Sequence, residues 1–273
     1  MSYLQKRWTT VRDGRDRRAH TPLLVFHTTG SGKVVEGLDK GRDPNLFLPD
    51  YYDEPGADGP HECITYEGFA ALVPGADHAD ADAWVIREEE DFAPHAGIGM
   101  SAIELYRKGF DVWSKYTWDA KNKTLVPHST TLERYQTWRK RFPNLQSPLD
   151  LLPKGVVNPN ECSYSWEMIQ PVAKKPGGGW KTVGFTPRMH DVAAWRAMER
   201  VSHYHLPRDL EALHLQIVGH EDLHPIVRTD DWGPWDPGAG PRKLWDWDLF
   251  FARLAYWMQV PSTHPASDPS WRP

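Results

Sequence analysis

TPLLVFHTTG, residues Thr21 to Gly30, and IVGHEDLHPIVRTDDWGPWDPG, residues Ile217 to Gly238, decide how this chain folds. In each, a short apolar run ends on a histidine, His27 in the first and His220 in the second. A brief apolar run closed by turn chemistry is the pattern of a buried strand. Two such strands side by side would carry both imidazoles to one edge of a sheet. The second stretch then supplies carboxylates at Asp230 and Asp236. Two imidazoles and one carboxylate mounted on rigid strand ends make an open zinc site, with three protein ligands and a fourth position kept for water.

Working outward, polar sequence rich in Pro, Gly and Asp runs from Gly30 to Pro60, and no element is assigned to it. HECITY (His61 to Tyr66) and FAALV (Phe69 to Val73) flank Glu67-Gly68, a two-residue connection that predicts a hairpin. Ser101 caps a helical pattern that ends at Gly109, and Thr130 with Glu133 forms a capping box for a helix that Pro143 stops. YSWEMIQ, Tyr164 to Gln170, reads as a central strand carrying one acid, Glu167. Thr186-Pro187 opens a helix to about His203, Leu215 to Val218 is a further strand, and Asp246 caps a last helix striped with Trp247, Phe250, Phe251, Leu254 and Trp257. This order predicts the α/β class: a mixed central sheet with helices packed on it. The organisation expected is one domain over 21–260 with a helical insertion at about 100–154, an N-terminal extension over 1–20 and a disordered tail over 261–273.

The chain has 273 residues and a formal net charge of -5 with both signs interspersed, so the basic footprint of a nucleic-acid binder is absent. Cys63 and Cys162 stand in no metal-binding spacing, which leaves His and carboxylate as the available ligands. The first residues lack the apolar core of a secretory signal, and no stretch has the length of a membrane span. A soluble chain made in the cytoplasm, with no membrane insertion, is the expectation. The 14 Trp suit a heavily aromatic core or a carbohydrate-facing groove, and core packing accounts for most of them.

Taken in order, these segments resemble the zinc-dependent N-acetylmuramoyl-L-alanine amidases of type 2, whose fold is shared with phage amidase lysozymes and peptidoglycan recognition proteins. VFHTTG resembles that family's first strand, HECITYEGFAALVP its hairpin, and PHAGIG (Pro94 to Gly99) its His-Ala-Gly motif. Ser163 to Met168, with Asn158 and Asn160 upstream, is similar to the family's central strand with its acid. Ile217-Val218-Gly219-His220, then Asp222 and Pro225, then Asp236-Pro237-Gly238 and Trp245-Asp246-Trp247, follow in the family's order.

The resemblance implies zinc held by His27, His220 and a carboxylate in the loop after His220. The family's features split here. Asp230 has the family's spacing and has Arg228 two residues before it, where the family has a Lys; Asp236 has the Pro-Gly context. Asp236 is favoured because Pro-Gly shapes the backbone that aims the ligand, with Asp230 as the alternative. In the same reading Glu167 takes a proton from the attacking water and hands it to the leaving amine, and Arg228 stabilises the developing oxyanion. His95 and Asn158 contact substrate, and Trp113 and Trp118 of the insertion wall the groove.

The implied activity is hydrolysis of the amide between N-acetylmuramic acid and L-alanine. Two settings fit it. One is lysis of the cell wall or action in the periplasm after delivery by a holin, a phage particle or a secretion system; the other is cytoplasmic recycling of muropeptides. A peptidoglycan-binding module that has lost catalysis is the rival from another class. Each residue also has a plainer reading: His27 as a buried strand-end histidine, Glu167 as a paired strand acid, Arg228 as a surface ion-pair residue, the insertion's aromatics as a small core.

Overall fold

In the computed structural model, side-chain size alternates along the central strand in a way that separates two layers. β7 is Ser163–Met168, preceded by β1 (Leu4–Lys6), β2 (Leu23–Thr28), β3 (Glu62–Ile64), β4 (Ala83–Val85), β5 (Tyr116–Asp119) and β6 (Thr124–Pro127). Its aromatic and thioether side chains, Tyr164, Trp166 and Met168, share one core with Leu24 and Phe26 of β2. Ser163, Ser165 and Glu167 alternate with them and face the opposite layer, because successive strand side chains point to opposite faces. The described residues are 4–6, 23–54, 59–75, 83–87, 116–119, 121, 124–127, 159–223, 229–230, 233–234, 236–238 and 244–260.

The sheet has six strands in the order β1-β4-β3-β7-β2-β10, where β10 is Ile217–Gly219. β2 is parallel to both β7 and β10, β3 is parallel to β7, and β4 runs antiparallel to β3. This is the mixed sheet with helices on it that the segment order predicts. β8 (Val172–Lys174) and β9 (Trp180–Thr182) form a separate ribbon, as do β5 with β6 and β11 (Thr229–Asp230) with β12 (Gly233–Pro234). β1 lies within the stretch read as an extension and adds an edge strand. β5 and β6 lie inside the stretch read as a helical insertion; the two helices expected there fall outside the described residues, as does the tail from 261.

Two helices occupy the polar stretch to which no element is assigned from sequence: α1, Ser31–Asp39, and α2, Pro44–Tyr52. Asp43 caps α2 by accepting the Asn45 N–H, with Pro44 in the first turn. Val34, Leu38, Leu48 and Tyr52 pack with Cys63 and Trp84 to form the layer on the Glu167 side of the sheet.

α3 (Pro187–His203) and α6 (Trp247–Gln259) cover the aromatic face, with α4 (Leu210–Gln216) and α5 (His220–Leu223) between them in sequence. Thr186 and Asp246 cap α3 and α6 as the sequence predicts. Phe26 stacks on Trp166 and meets Trp245 and Phe250, and Trp195 and Trp257 are buried in the same core. Buried charge is paired there. Arg196 of α3 reaches both oxygens of Glu62, which also accepts from Trp166 Nε1 at 3.1 Å, and Asp191 accepts from Arg253 and from Trp257 Nε1.

The predicted hairpin is corrected. Glu67–Ala71 forms a 3-10 turn, and the antiparallel partner of β3 is β4. Asn45 of α2 is the reason: its Nδ2 donates to the Tyr66 carbonyl at 2.8 Å and its Oδ1 accepts the Tyr66 N–H at 3.0 Å. Those two backbone groups are thereby taken from any strand partner at the position where the hairpin would continue.

Candidate metal centre

Because β10, β2, β7 and β3 run parallel, their carboxyl ends lie along one edge of the sheet, where open α/β sheets build their sites. Gly219 at the end of β10 pairs with Phe26, so His220 follows beside His27. On the other side His27 is in register with Glu167, and Glu167 with Cys63. Parallel register partners share a face, so the imidazole of His27 and the carboxylate of Glu167 project to the same side.

The third member arrives from the loop after α5. Asp236 Oδ2 lies 3.0 Å from His220 Nδ1 and 3.8 Å from His27 Nδ1. Its other oxygen, Oδ1, accepts the Thr28 N–H at 2.8 Å, which fixes the carboxylate plane against the end of β2. The imidazole rings of His27 and His220 are 4.4 Å apart, and all three residues are buried. One ligand atom from each lies within 4.8 Å of the others. Atoms bound to one zinc at its usual bond lengths stand roughly 3.3 Å apart. The two Asp236 distances straddle that spacing, so the group could hold a metal ion. Burial alone would raise the Asp236 carboxyl; the hydrogen bond with His220 and the adjacent His27 outweigh it and hold the group well below the usual carboxylate range. It is therefore anionic, the form a metal ligand needs.

Two local features shape the Asp236 turn. Glu221, buried in α5, accepts the Asp236 N–H at 3.0 Å and the Gly238 N–H at 3.1 Å with one oxygen, Oε2, while its own N–H donates to the Asp236 carbonyl at 2.7 Å. Gly219 leaves room for the turn: a Cβ there would stand 2.5 Å from Pro237 Cδ. Sequence reasoning did not single out Glu221. Its signal was an acid directly after the liganding histidine in a short helix that packs under the Asp-Pro-Gly.

The structure thus brings together His27, His220, Asp236 and, by register, Glu167. Of Asp230 only the backbone is described, in β11 paired with Gly233. Trp118 likewise lies in β5, paired with Leu125, and its side chain is outside the described residues. Arg228, His95, Asn158 and Trp113 lie outside the described residues altogether. His61, read as structural, is buried in the sheet, with Nδ1 accepting the Ser165 N–H at 3.1 Å and the ring stacked on Tyr164. No helix among the described residues is long and apolar enough to cross a membrane. No protein-family model matches the chain, and no curated protein or solved structure matches it.

Proposed function

We propose that this chain is a zinc-dependent N-acetylmuramoyl-L-alanine amidase acting on peptidoglycan or its soluble fragments. The observation that carries the reading is the buried group of His27, His220 and Asp236 at the strand ends, with Glu167 in register beside His27. A structural His–Asp cluster would need no acid on the adjoining strand. A hydrolytic site does.

Zinc held by these three residues would supply a Lewis acid and bring the pKa of its bound water toward neutrality. The residues of the chain divide the remaining work. His27 and His220 project from strand ends, and Thr28 N–H and Glu221 hold Asp236, so the ligand set is oriented before any ion arrives. Glu167 accepts the proton of the attacking water and returns it to the amine as the carbon–nitrogen bond breaks. Arg228, permanently charged, steadies the oxyanion and takes no part in proton transfer. His95, Asn158, Trp113 and Trp118 are the proposed substrate contacts, the indoles offering flat faces to sugar rings. Cell-wall lysis, after delivery by a holin, a phage particle or a secretion system, is preferred to recycling of muropeptides.

The test is incubation of the purified, zinc-loaded chain with intact sacculi and, separately, with soluble muropeptides. New L-alanine amino termini in the sacculus digestion support lysis, and cleavage confined to soluble fragments supports recycling. Full zinc occupancy without new amino termini on either substrate contradicts the amidase reading.

A further inference from the structure

The layer on the Glu167 side of the sheet places a phenol next to the proposed acid/base. Tyr52 is the last residue of α2 and is only 7% exposed. It packs in the same cluster as Cys63, and Cys63 is the register partner of Glu167. The residue is held from several directions. A Cβ on Gly59 would lie 3.2 Å from Tyr52 Cβ and Cδ1, so the chain passes close against the side chain here. Arg87 Nη2 donates to the Tyr52 carbonyl at 3.4 Å, and the Tyr51 ring meets the Tyr52 ring edge-on at 5.3 Å. The Glu167 carboxylate lies near enough to be the strongest neighbouring charge acting on the phenol.

We propose that Tyr52 is the positioning residue for Glu167: its O–H donates to one carboxylate oxygen, locks the side chain's rotamer, and leaves the second oxygen to receive the proton of the attacking water. This rests on the amide-hydrolase reading given above. A carboxylate on a flexible side chain has two oxygens and several lone-pair directions to offer. One charge-assisted hydrogen bond from a clamped ring selects among them, which a base aimed at one water requires.

The phenol keeps its proton throughout. Burial first, and then the neighbouring Glu167 charge, push the Tyr52 hydroxyl well above its ordinary pKa, so it acts as a fixed donor. The proton inventory closes without it: water gives a proton to Glu167 as its oxygen bonds to the carbonyl carbon, and Glu167 passes that proton to the amine nitrogen as the carbon–nitrogen bond breaks. The arrangement also gives α2 a purpose in the site, since a polar loop in its place could not hold a ring rigidly against the sheet.

The test combines two readouts on the full chain. In urea unfolding of the metal-free protein, Tyr52→Phe, which keeps the ring, lowers the folding equilibrium constant about tenfold in the wild-type background. In a Glu167→Ala background the same change costs less than about threefold, since the acceptor is already gone. In hydrolysis of peptidoglycan by the zinc-loaded protein, Tyr52→Phe lowers kcat on the order of ten- to a hundredfold, with KM within about twofold and zinc content unchanged. An equal stability cost in both backgrounds overturns the proposal. So does intact coupling with an unchanged kcat, because the bond is then structural only. A wild type that shows the coupling yet cleaves no amide overturns the hydrolase reading and the catalytic role with it, whereas a wild type that cleaves without coupling overturns this proposal alone.

Discussion

The Glu221 carboxylate closes the turn that carries Asp236, accepting its N–H at 3.0 Å while the Glu221 N–H donates to the Asp236 carbonyl at 2.7 Å. Asp236 is therefore gripped at both backbone polar groups by one residue of α5. The liganding His220 is the neighbour of that residue in the chain. Glu221 thus ties two members of the metal centre into one unit.

Glu221→Ala leaves the Asp236 and Gly238 N–H groups without their acceptor, at about 1–3 kcal/mol for each buried donor. Metal affinity is expected to fall roughly 10- to 100-fold, the range for losing a residue that orients a ligand. Glu221→Gln, which keeps an acceptor oxygen, retains most of both. Chelator competition and urea unfolding on the same preparations check the pair.

Gly219→Ala sets a methyl 2.5 Å from Pro237 Cδ and 3.2 Å from the Asp236 carbonyl. The turn has to move, and the cost expected for overpacking is about 1–3 kcal/mol. Asp236 moves with it, so the variant binds metal more weakly than wild type. The same change at exposed Gly32, where a Cβ meets nothing within 4 Å, leaves metal affinity unaltered.

Glu62 and Arg196 make stability sensitive to acid on the face of the sheet opposite the metal centre. Burial would raise the Glu62 carboxyl, but Arg196 outweighs it and brings the pKa from 4.5 to about 2. A depressed carboxylate contributes stability that is fully present above about pH 4.5 and lost as pH falls through about 2. That contribution is on the order of 3 kcal/mol. Arg196→Met, which strands the Glu62 charge, costs about 3–5 kcal/mol at neutral pH. Urea midpoints between pH 2 and pH 7 show the acid limb in the wild type and its flattening in the variant.

His190 gives a second, separate dependence. Its Nδ1–H donates to the Thr186 carbonyl at 2.8 Å, its Nε2 accepts the Asp246 N–H at 3.0 Å, and its ring stacks on Trp245. Both ring nitrogens of the neutral imidazole are used, and burial lowers its pKa below 6.5. Its contribution is fully present above pH 6.5 and is lost as pH falls through the lower folded value. An NMR titration of the His190 ring protons in folded protein is expected to show the ring less than half protonated at pH 6.5, with its midpoint below that pH.

The legible parts of the sequence were those where one residue type has one physical use. Thr186-Pro187 and Asp246 could be read as helix starts because capping and proline geometry are local. His27 and His220 could be placed on adjacent strand ends because short apolar runs closed by turns have few alternatives. α1 and α2 were missed for the converse reason. Pro49 stands inside α2, and Gly32, Gly37, Asp39 and Asp50 dilute both patterns, although Asp43-Pro44 was a usable start signal. The hairpin failed because Asn45, sixteen residues before His61 in sequence, takes the backbone groups of Tyr66. Tyr52 could not be found without α2. Its place beside Glu167 is a tertiary fact, with no local motif to announce it.

The most direct test of the account measures zinc content and the products of sacculus digestion, by mass spectrometry, on wild type, Glu167→Gln, Asp236→Asn and Asp230→Asn. The account predicts about one zinc per chain in the wild type, with new L-alanine amino termini among the products. Glu167→Gln keeps the zinc and loses turnover, Asp236→Asn loses the zinc, and Asp230→Asn keeps it. Full zinc in Asp236→Asn, or amide cleavage undiminished in Glu167→Gln, would contradict the assignment of the centre.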